Sequence, residues 1–423
     1  MLLVFFAGFH LHAQVLDTLN VTRLDKPGNV ESSLNASIPQ RESLFDRFLL
    51  SENYDDWKGG LYKDTGLKIG VSYQGNLMHA SSTIAEPDNA AAGLFAVQAD
   101  WTPLNFGKDY EGSLVFSYNN IHNYGKAVSP ALFSFNTGSM FAHDGLYLDV
   151  PGFISNLYWE QWFKRGRFFI RVGQHVPGSV IDFSRFADVR TSVTSPSVGF
   201  PAGSIPFGPP AMGITAKLLT PQISGFYALV HFSDINSQVD KLNVGNIFET
   251  GEFFAAGEVG YKWFRRGDKG IELDHLHLIV FGATEASSRR YQSEGGWGFK
   301  VATEKQIGSW IVLANYAYNN AVGGGFGFTK LRHAINLGGA YNKPFGVKGE
   351  LFLVYTWGQE LDNGQCGLLP CTGRQQSMIE SYWKLLVFPQ LWVTPGLQVH
   401  INPVDNPNTN AIWLPLLKFR VFF

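Results

Sequence analysis

Most of this chain alternates between apolar and polar residues with a period of two, and that pattern limits its folds more than any other feature. Ile69, Val71 and Tyr73 alternate with Gly70, Ser72 and Gln74; Leu114, Phe116 and Tyr118 with Ser113, Ser117 and Asn119. Val259, Tyr261 and Trp263 alternate with Glu258, Gly260 and Lys262, and Leu417, Phe419, Val421 and Phe423 with Lys418, Arg420 and Phe422. Period two puts every second side chain on the same face of a strand. Sixteen such segments are expected, near 67–78, 91–102, 112–122, 154–164, 166–174, 210–219, 224–233, 252–264, 271–284, 294–304, 308–320, 331–341, 347–358, 375–386, 391–401 and 411–423.

The connections follow a rule of their own. Even-numbered ones are short, such as Lys164-Arg165-Gly166, Thr220-Pro221-Gln222 and Phe388-Pro389-Gln390. Odd-numbered ones include the long stretches 123–153, 175–209 and 234–251. An even strand number, with short turns on one side and longer loops on the other, is the pattern of bacterial outer-membrane barrels, with both chain ends on the periplasmic side. The expected fold class is therefore all-β: a transmembrane antiparallel barrel over 67–423. Closure meets a physical need, since an open strand edge in hydrocarbon would leave N–H and C=O groups unpaired. A barrel of this strand number encloses an aqueous lumen rather than a packed core.

Composition agrees. Charged residues make up 16% and aromatics 15%, with 46 glycines and a net charge of −2, which gives no reason to expect a nucleic-acid partner. No run after the first dozen residues approaches the 18 apolar residues of a helical span. Met1 to Ala13 read as a secretory signal peptide, without a basic start, that ends in a small residue. Residues 14–66 then read as a polar periplasmic segment with a helix near Ser43–Leu50, capped by Ser43, and a helical turn over Trp57–Lys63. Cys366 and Cys371, the only cysteines, are expected to form a local disulfide in an exported protein.

The third long connection draws the functional attention. Six prolines and four glycines interrupt 175–210, beside Asp182-Phe183, Arg185-Phe186, Asp188 and Arg190. A loop of that length in a compact domain is functional or disordered, and its aromatics argue against disorder. It is expected to fold inward and narrow the lumen. Strand parity turns Glu160, Arg171, Glu258, Lys262, Lys300, Glu380, Lys384, Lys418 and Arg420 to the same inner face. Such a face sets planar donors, carboxylate acceptors and flat aromatic rings along the lumen. The expected solute-path constriction is Arg171, Glu160, Asp182, Arg185, Arg190 and Glu258 with Phe183 and Phe186. The alternative is that these charges are wall ion pairs that hold the loop and touch no solute. His275 and His277 lie two apart on one strand, too few for a metal site by themselves; no cofactor and no catalytic set are expected.

Ordered motifs from Asp55 to Phe423 resemble the carbohydrate-selective porins of the OprB type. They are Asp55-Asp56-Trp57 with Gly59-Gly60-Leu61 and Gly66, then Leu157-Tyr158-Trp159-Glu160-Gln161 and Arg171-Val172-Gly173-Gln174. Pro177, Asp182-Phe183, Phe186-Ala187-Asp188 and Glu258-Val259-Gly260-Tyr261 follow, then Glu380, Tyr382-Trp383, Val393-Thr394-Pro395, Leu397-Gln398, Asn402-Pro403 and Phe423. The resemblance implies a sixteen-stranded outer-membrane porin that admits glucose-type monosaccharides passively through an Arg- and Glu-lined pore. It implies small sugars as solutes, outer-membrane lipid and lipopolysaccharide around the wall, and the barrel-insertion machinery as reader of the terminal Phe423. Gln174-His175 and the sparse charge after Arg190 depart from the family pattern and bear on sugar preference. A general non-selective porin and an outer-membrane barrel enzyme are the rival readings.

Overall fold

The computed structural model describes residues 30, 34, 43–45, 52–163, 167–182, 184–186, 191–192, 194–199, 210–220, 225–235, 251–267, 270–285, 293–320, 322–323, 331–362 and 372–423. Helix α1, Glu52–Thr65, leads into the sheet. Gly66 ends it in the left-handed region at φ 72°, and its N–H donates to the Tyr62 carbonyl at 2.8 Å. Glycine occupies that position without the Cβ penalty other residues meet. The helix is longer than the turn expected over Trp57–Lys63. Gly59 and Gly60 lie inside it, where an added Cβ would meet nothing; they lower helix propensity without interrupting the helix. The Ser43 hydroxyl donates to the Phe45 carbonyl at 3.1 Å, and 46–50, over which the helix capped by Ser43 is expected, lie outside the described residues. The Leu44 and Phe45 N–H groups donate to the Leu386 and Val387 carbonyls.

Sixteen long strands follow: β1 Leu67–His79, β2 Asn89–Leu104, β3 Gly112–Asn123, β4 Phe153–Phe163, β5 Phe168–His175, β6 Ala211–Leu219, β7 Gly225–Asp234 and β8 Phe253–Gly267. The second half is β9 Gly270–Ala283, β10 Ser293–Ile307, β11 Trp310–Asn319, β12 Leu331–Asn342, β13 Gly349–Glu360, β14 Gln375–Phe388, β15 Leu391–Ile401 and β16 Ala411–Phe422. Each pairs antiparallel with its sequence neighbours, and β1 pairs with β16 over Ser72↔Phe422 to Met78↔Leu416, so the sheet closes. A two-residue piece, Val322–Gly323, extends the pairing at the start of β10.

The two faces invert the soluble pattern. Outward positions are apolar and bare: Phe226 is 67% exposed, Val230 61% and Leu353 59%. Inward ones are polar and covered: Gln74, Asn76, Thr215, Thr356 and Gln398 are buried. In water such an exterior would aggregate; in a bilayer it is the required face. Exposed Trp297 and Trp413 lie toward the long-loop end of their strands, Trp101 and Trp310 toward the short-turn end. These are the two levels at which amphipathic rings meet the headgroups.

Inside, apolar clusters fasten two long loops to the wall. Met140 and Phe141 of the second long loop, with Phe186 and Val198 of the third, pack on Leu331, Phe352 and Met378. Phe133 packs on Met78, Ile412 and Leu414, and Ile181 on Leu229, Phe254 and Ile279.

Candidate functional site

Residue pairing across strands builds the inner wall. Glu160 on β4 and Arg171 on β5 are register partners. Arg171 Nη2 and Nε lie 2.6 and 2.8 Å from Glu160 Oε2. Trp162 Nε1 donates to Glu160 Oε1 at 2.5 Å, and the guanidinium stacks 4.1 Å from the centre of the Tyr158 ring. Arg171 Nη1 also reaches Ser179 Oγ at 3.3 Å, at the start of the third long loop. A planar fork with two donors on one carboxylate oxygen and an aromatic face beneath it is a setting in which arginine cannot be exchanged for lysine.

Asp182 sits at the turning point of that loop with φ 59°. Its Oδ1 is 2.8 Å from His277 Nε2 and its Oδ2 2.8 Å from Lys300 Nζ. Its own N–H donates to Glu258 Oε2 at 2.7 Å, while Tyr227 donates its hydroxyl to Glu258 Oε1 at 2.6 Å. Arg185 follows: Nε is 3.4 Å from Glu304 Oε2 and Nη1 donates to Gln306 Oε1 at 2.7 Å. Phe186 is buried, its ring 4.7 Å from that of Phe352. Further along, the Thr194 and Ser195 N–H groups donate to Glu380 at 2.6 and 3.1 Å. Thr394 donates to the Thr191 carbonyl at 3.0 Å, and Lys418 donates to that of Ser192. Among the expected constriction residues, then, Glu160 pairs with Arg171, Asp182 with Glu258, Arg185 with Glu304 and Gln306, and Phe186 with Phe352, in separate groups along the wall and the third long loop. Phe183, Arg190, Cys366 and Cys371 lie outside the described residues.

Sequence reasoning overlooked the second long loop. Asp144 accepts from Asn76 Nδ2 at 2.8 Å and, on its other oxygen, from the Leu146 and Tyr147 N–H groups. Burial raises its carboxyl above the ordinary value, against the pull of those N–H groups and of Lys418. His143 is buried with its ring 4.4 Å from that of His400, and its Nε2 is hydrogen-bonded to Thr137 Oγ1 at 2.7 Å. Burial, helped by the neighbouring His400, pushes it well below the usual imidazole value. Gln398 Nε2 donates to the His143 carbonyl at 3.0 Å, and Ser139 Oγ is hydrogen-bonded to His400 Nδ1 at 2.9 Å. A legible signal was present: the run Ala131 to Tyr147 carries Leu132, Phe133, Phe135, Met140 and Phe141, too apolar for a solvated loop.

His275 and His277 stack at 5.2 Å, nearly parallel, with His277 engaged by Asp182. Among the described residues, no group of three or more His, Cys, Asp or Glu side chains could hold a metal ion. At the short-turn end, Val30 and Leu34 are buried against inward-facing Val115 and Tyr158, so part of the N-terminal segment reaches the wall beside the Glu160–Arg171 pair.

No protein-family model and no curated protein sequence matches the chain. Solved structures do. The high-pH structure of Pseudomonas putida OprB superposes with a TM-score of 0.67 at 13% identity, covering 91% of this chain and all of that one. The low-pH structure of the same protein gives 0.51 at 13% identity, covering 89% and 99%. A mutant of the Rh. blastica porin gives 0.50 at 9% identity, covering 84% and 100%. At these identities the likeness is one of fold: the chain is a closed sixteen-stranded antiparallel barrel of the kind those porins have.

Proposed function

We propose that this barrel is an outer-membrane porin through which small sugars, glucose-type monosaccharides among them, diffuse passively down their gradient. The observation that carries the reading is the inversion of faces: an apolar exterior encloses an interior of paired charges on which two loops are seated. Arg171, Glu160, Asp182, Arg185 and Glu258 present donors and acceptors side by side with little net charge. That suits an uncharged solute whose hydroxyls exchange water for protein groups in passing. Binding of this kind has to be weak enough to release the solute. Arg190, Phe183 and Phe186 belong to the same constriction in this reading. The sugar class rests on the motif resemblance and on the mixed donor and acceptor character of the wall.

The remaining assignments rest on the sequence. The outer wall meets lipid and lipopolysaccharide, and Phe423 serves as the insertion signal read by the barrel-assembly machinery. Met1 to Ala13 are removed on export, residues 14–66 remain in the periplasm, and Cys366 joins Cys371 in a disulfide.

Liposomes carrying the purified protein test the reading. Swelling in glucose faster than in amino acids of equal size is expected; equal rates would remove selectivity, and no swelling would remove the channel. Arg171→Ala and Arg185→Ala are expected to change glucose flux relative to small ions. Unchanged ratios would make the barrel a general porin.

A further inference from the structure

A cavity of about 310 Å³ lies at the short-turn end of the barrel, lined by residues at or beside the short-turn ends of β10 to β15. We propose that it is a second sugar subsite, a shallow station for a neutral pyranose at the periplasmic exit. The proposal rests on the sugar-porin reading and adds to it a place apart from the group around Arg171 and Glu258.

Five inward-facing side chains converge on it: Gln306 from β10, Asn342 from β12, Glu350 from β13, Lys384 from β14 and Trp392 from β15. Each shares strand parity with a buried neighbour on the inner face, namely Glu304, Ala340, Phe352, Tyr382 and Thr394. Pockets for small ligands begin at about 300 Å³, so the space suits one hexose ring and little more.

The chemistry selects the occupant. Trp392 is half-buried and supplies a flat indole, with Lys384 Nζ 4.9 Å from its centre. Lys384 is steadied in turn by Ser192 Oγ at 3.2 Å. Glu350 uses a single carboxylate oxygen for its protein contacts: Oε1 accepts from Tyr382 at 2.7 Å and from Ser192 at 3.1 Å. Its Oε2 therefore stays available as an acceptor in a rigidly held residue. Among the described residues the Asn342 side-chain amide and the Trp392 indole N–H have no hydrogen-bond partner, which leaves further donors and an acceptor at the same place. Anchored polar groups beside an aromatic plate fit a ring that has apolar C–H faces and an equatorial rim of hydroxyls. Lys343 and Lys348 also line the cavity, so a parallel titration with gluconate, an anion of the same size, separates a sugar site from an anion site. Tighter binding of gluconate than of glucose would overturn the sugar assignment, and an apolar ligand would strand the amide and the carboxylate.

Calorimetric titration of the detergent-solubilised barrel with glucose tests the subsite without requiring flux. Wild type and Trp392→Phe are expected to bind, whereas Trp392→Ala and Glu350→Gln weaken binding by about fivefold or more. Conductance without sugar serves as the control that the third long loop has stayed in place. Asn342→Ala, which removes an amide with no protein contact, gives a second test if Trp392→Ala does not fold; it is expected to weaken binding too. Wild-type failure to bind, or variants that all bind as wild type does, would overturn the subsite. Liposome swelling run in parallel separates the two readings: glucose binding without glucose flux leaves the subsite standing and removes the porin function.

Discussion

Lys300 Nζ on β10 lies 2.8 Å from Oδ2 of Asp182, a residue 118 positions earlier in the third long loop. The pair is buried, His277 holds the other oxygen, and the backbone of Asp182 takes a left-handed φ of 59°. Such a conformation costs a non-glycine residue energy and persists where its surroundings over-determine it. Removing one partner of a buried pair leaves the other charge uncompensated, at about 3–5 kcal/mol. Asp182→Ala and Lys300→Met are both expected to lower the thermal unfolding temperature and to enlarge the single-channel conductance, because each frees the loop from the wall. A conductance equal to wild type in both variants would show that the loop does not narrow the path.

Glu160 and Arg171 make a different prediction, because they face one another across two adjacent strands rather than from loop to wall. Arg171→Lys keeps the charge but loses the two-pronged contact and the stacking on Tyr158. A clear loss of stability is therefore expected where a charge-only account expects none. In a double-mutant cycle with Glu160→Gln and Arg171→Met, the coupling should reach about 1–3 kcal/mol in urea unfolding from vesicles. A coupling near zero would mean that the lumen solvates each partner as well as the other does.

The contrast between those two pairs also marks what could be read in advance. The strands were legible because lipid on one side and water on the other impose opposite chemistry on successive residues, as in Val71 and Tyr73 against Ser72 and Gln74. The Glu160–Arg171 partnership was within reach, since a short connection, with Phe163 and Phe168 as register partners on either side of it, leaves little freedom in register. The Asp182, His277 and Lys300 cluster was not, because no local period encodes a contact between a loop and strands a hundred residues on. The second long loop was missed for a related reason: attention went to prolines and charges in the third, while the phenylalanines of the second pointed just as plainly to burial. The expected turn over Trp57–Lys63 already contained Gly59 and Gly60; the part of α1 that it left out is mainly the first turn from Glu52, where helix ends are least marked in a sequence.

Acidification should loosen the second long loop. His143 has a folded-state value depressed below 6.5 by burial and by His400, so the unfolded loop binds a proton more readily. Its contribution is present above about pH 6.5 and is lost as pH falls below it, at about 1.4 kcal/mol per pH unit. Asp144, raised by burial, acts in the opposite sense: its contribution is fully present below the unfolded carboxylate value and is lost as pH rises through the folded one. His143→Asn isolates the imidazole. Amide exchange over 133–147 should accelerate between pH 7 and pH 5 in wild type, beyond the intrinsic dependence of exchange on pH, and less so in the variant. Equal acceleration in the two would assign the effect to other groups.

The sharpest test of the fold is a charge on its outside. Leu278 on β9 is 38% exposed, and its strand neighbours His277 and Ile279 are buried on the inner face. In a soluble sheet, replacing so exposed a residue by arginine would change stability by no more than about 0.5 kcal/mol. If hydrocarbon covers that position, near the middle of its strand, Leu278→Arg costs about 2–4 kcal/mol. The cost should fall toward the ends, so that Trp310→Arg, beside the short turn after β10, costs less in charge transfer than Leu278→Arg despite removing a larger ring. Urea titration of the refolded barrel in phospholipid vesicles reads both values. A gradient with depth would fix the lipid belt on the residues named, whereas a flat and small response would mean that the exposed apolar face is covered by something other than a bilayer.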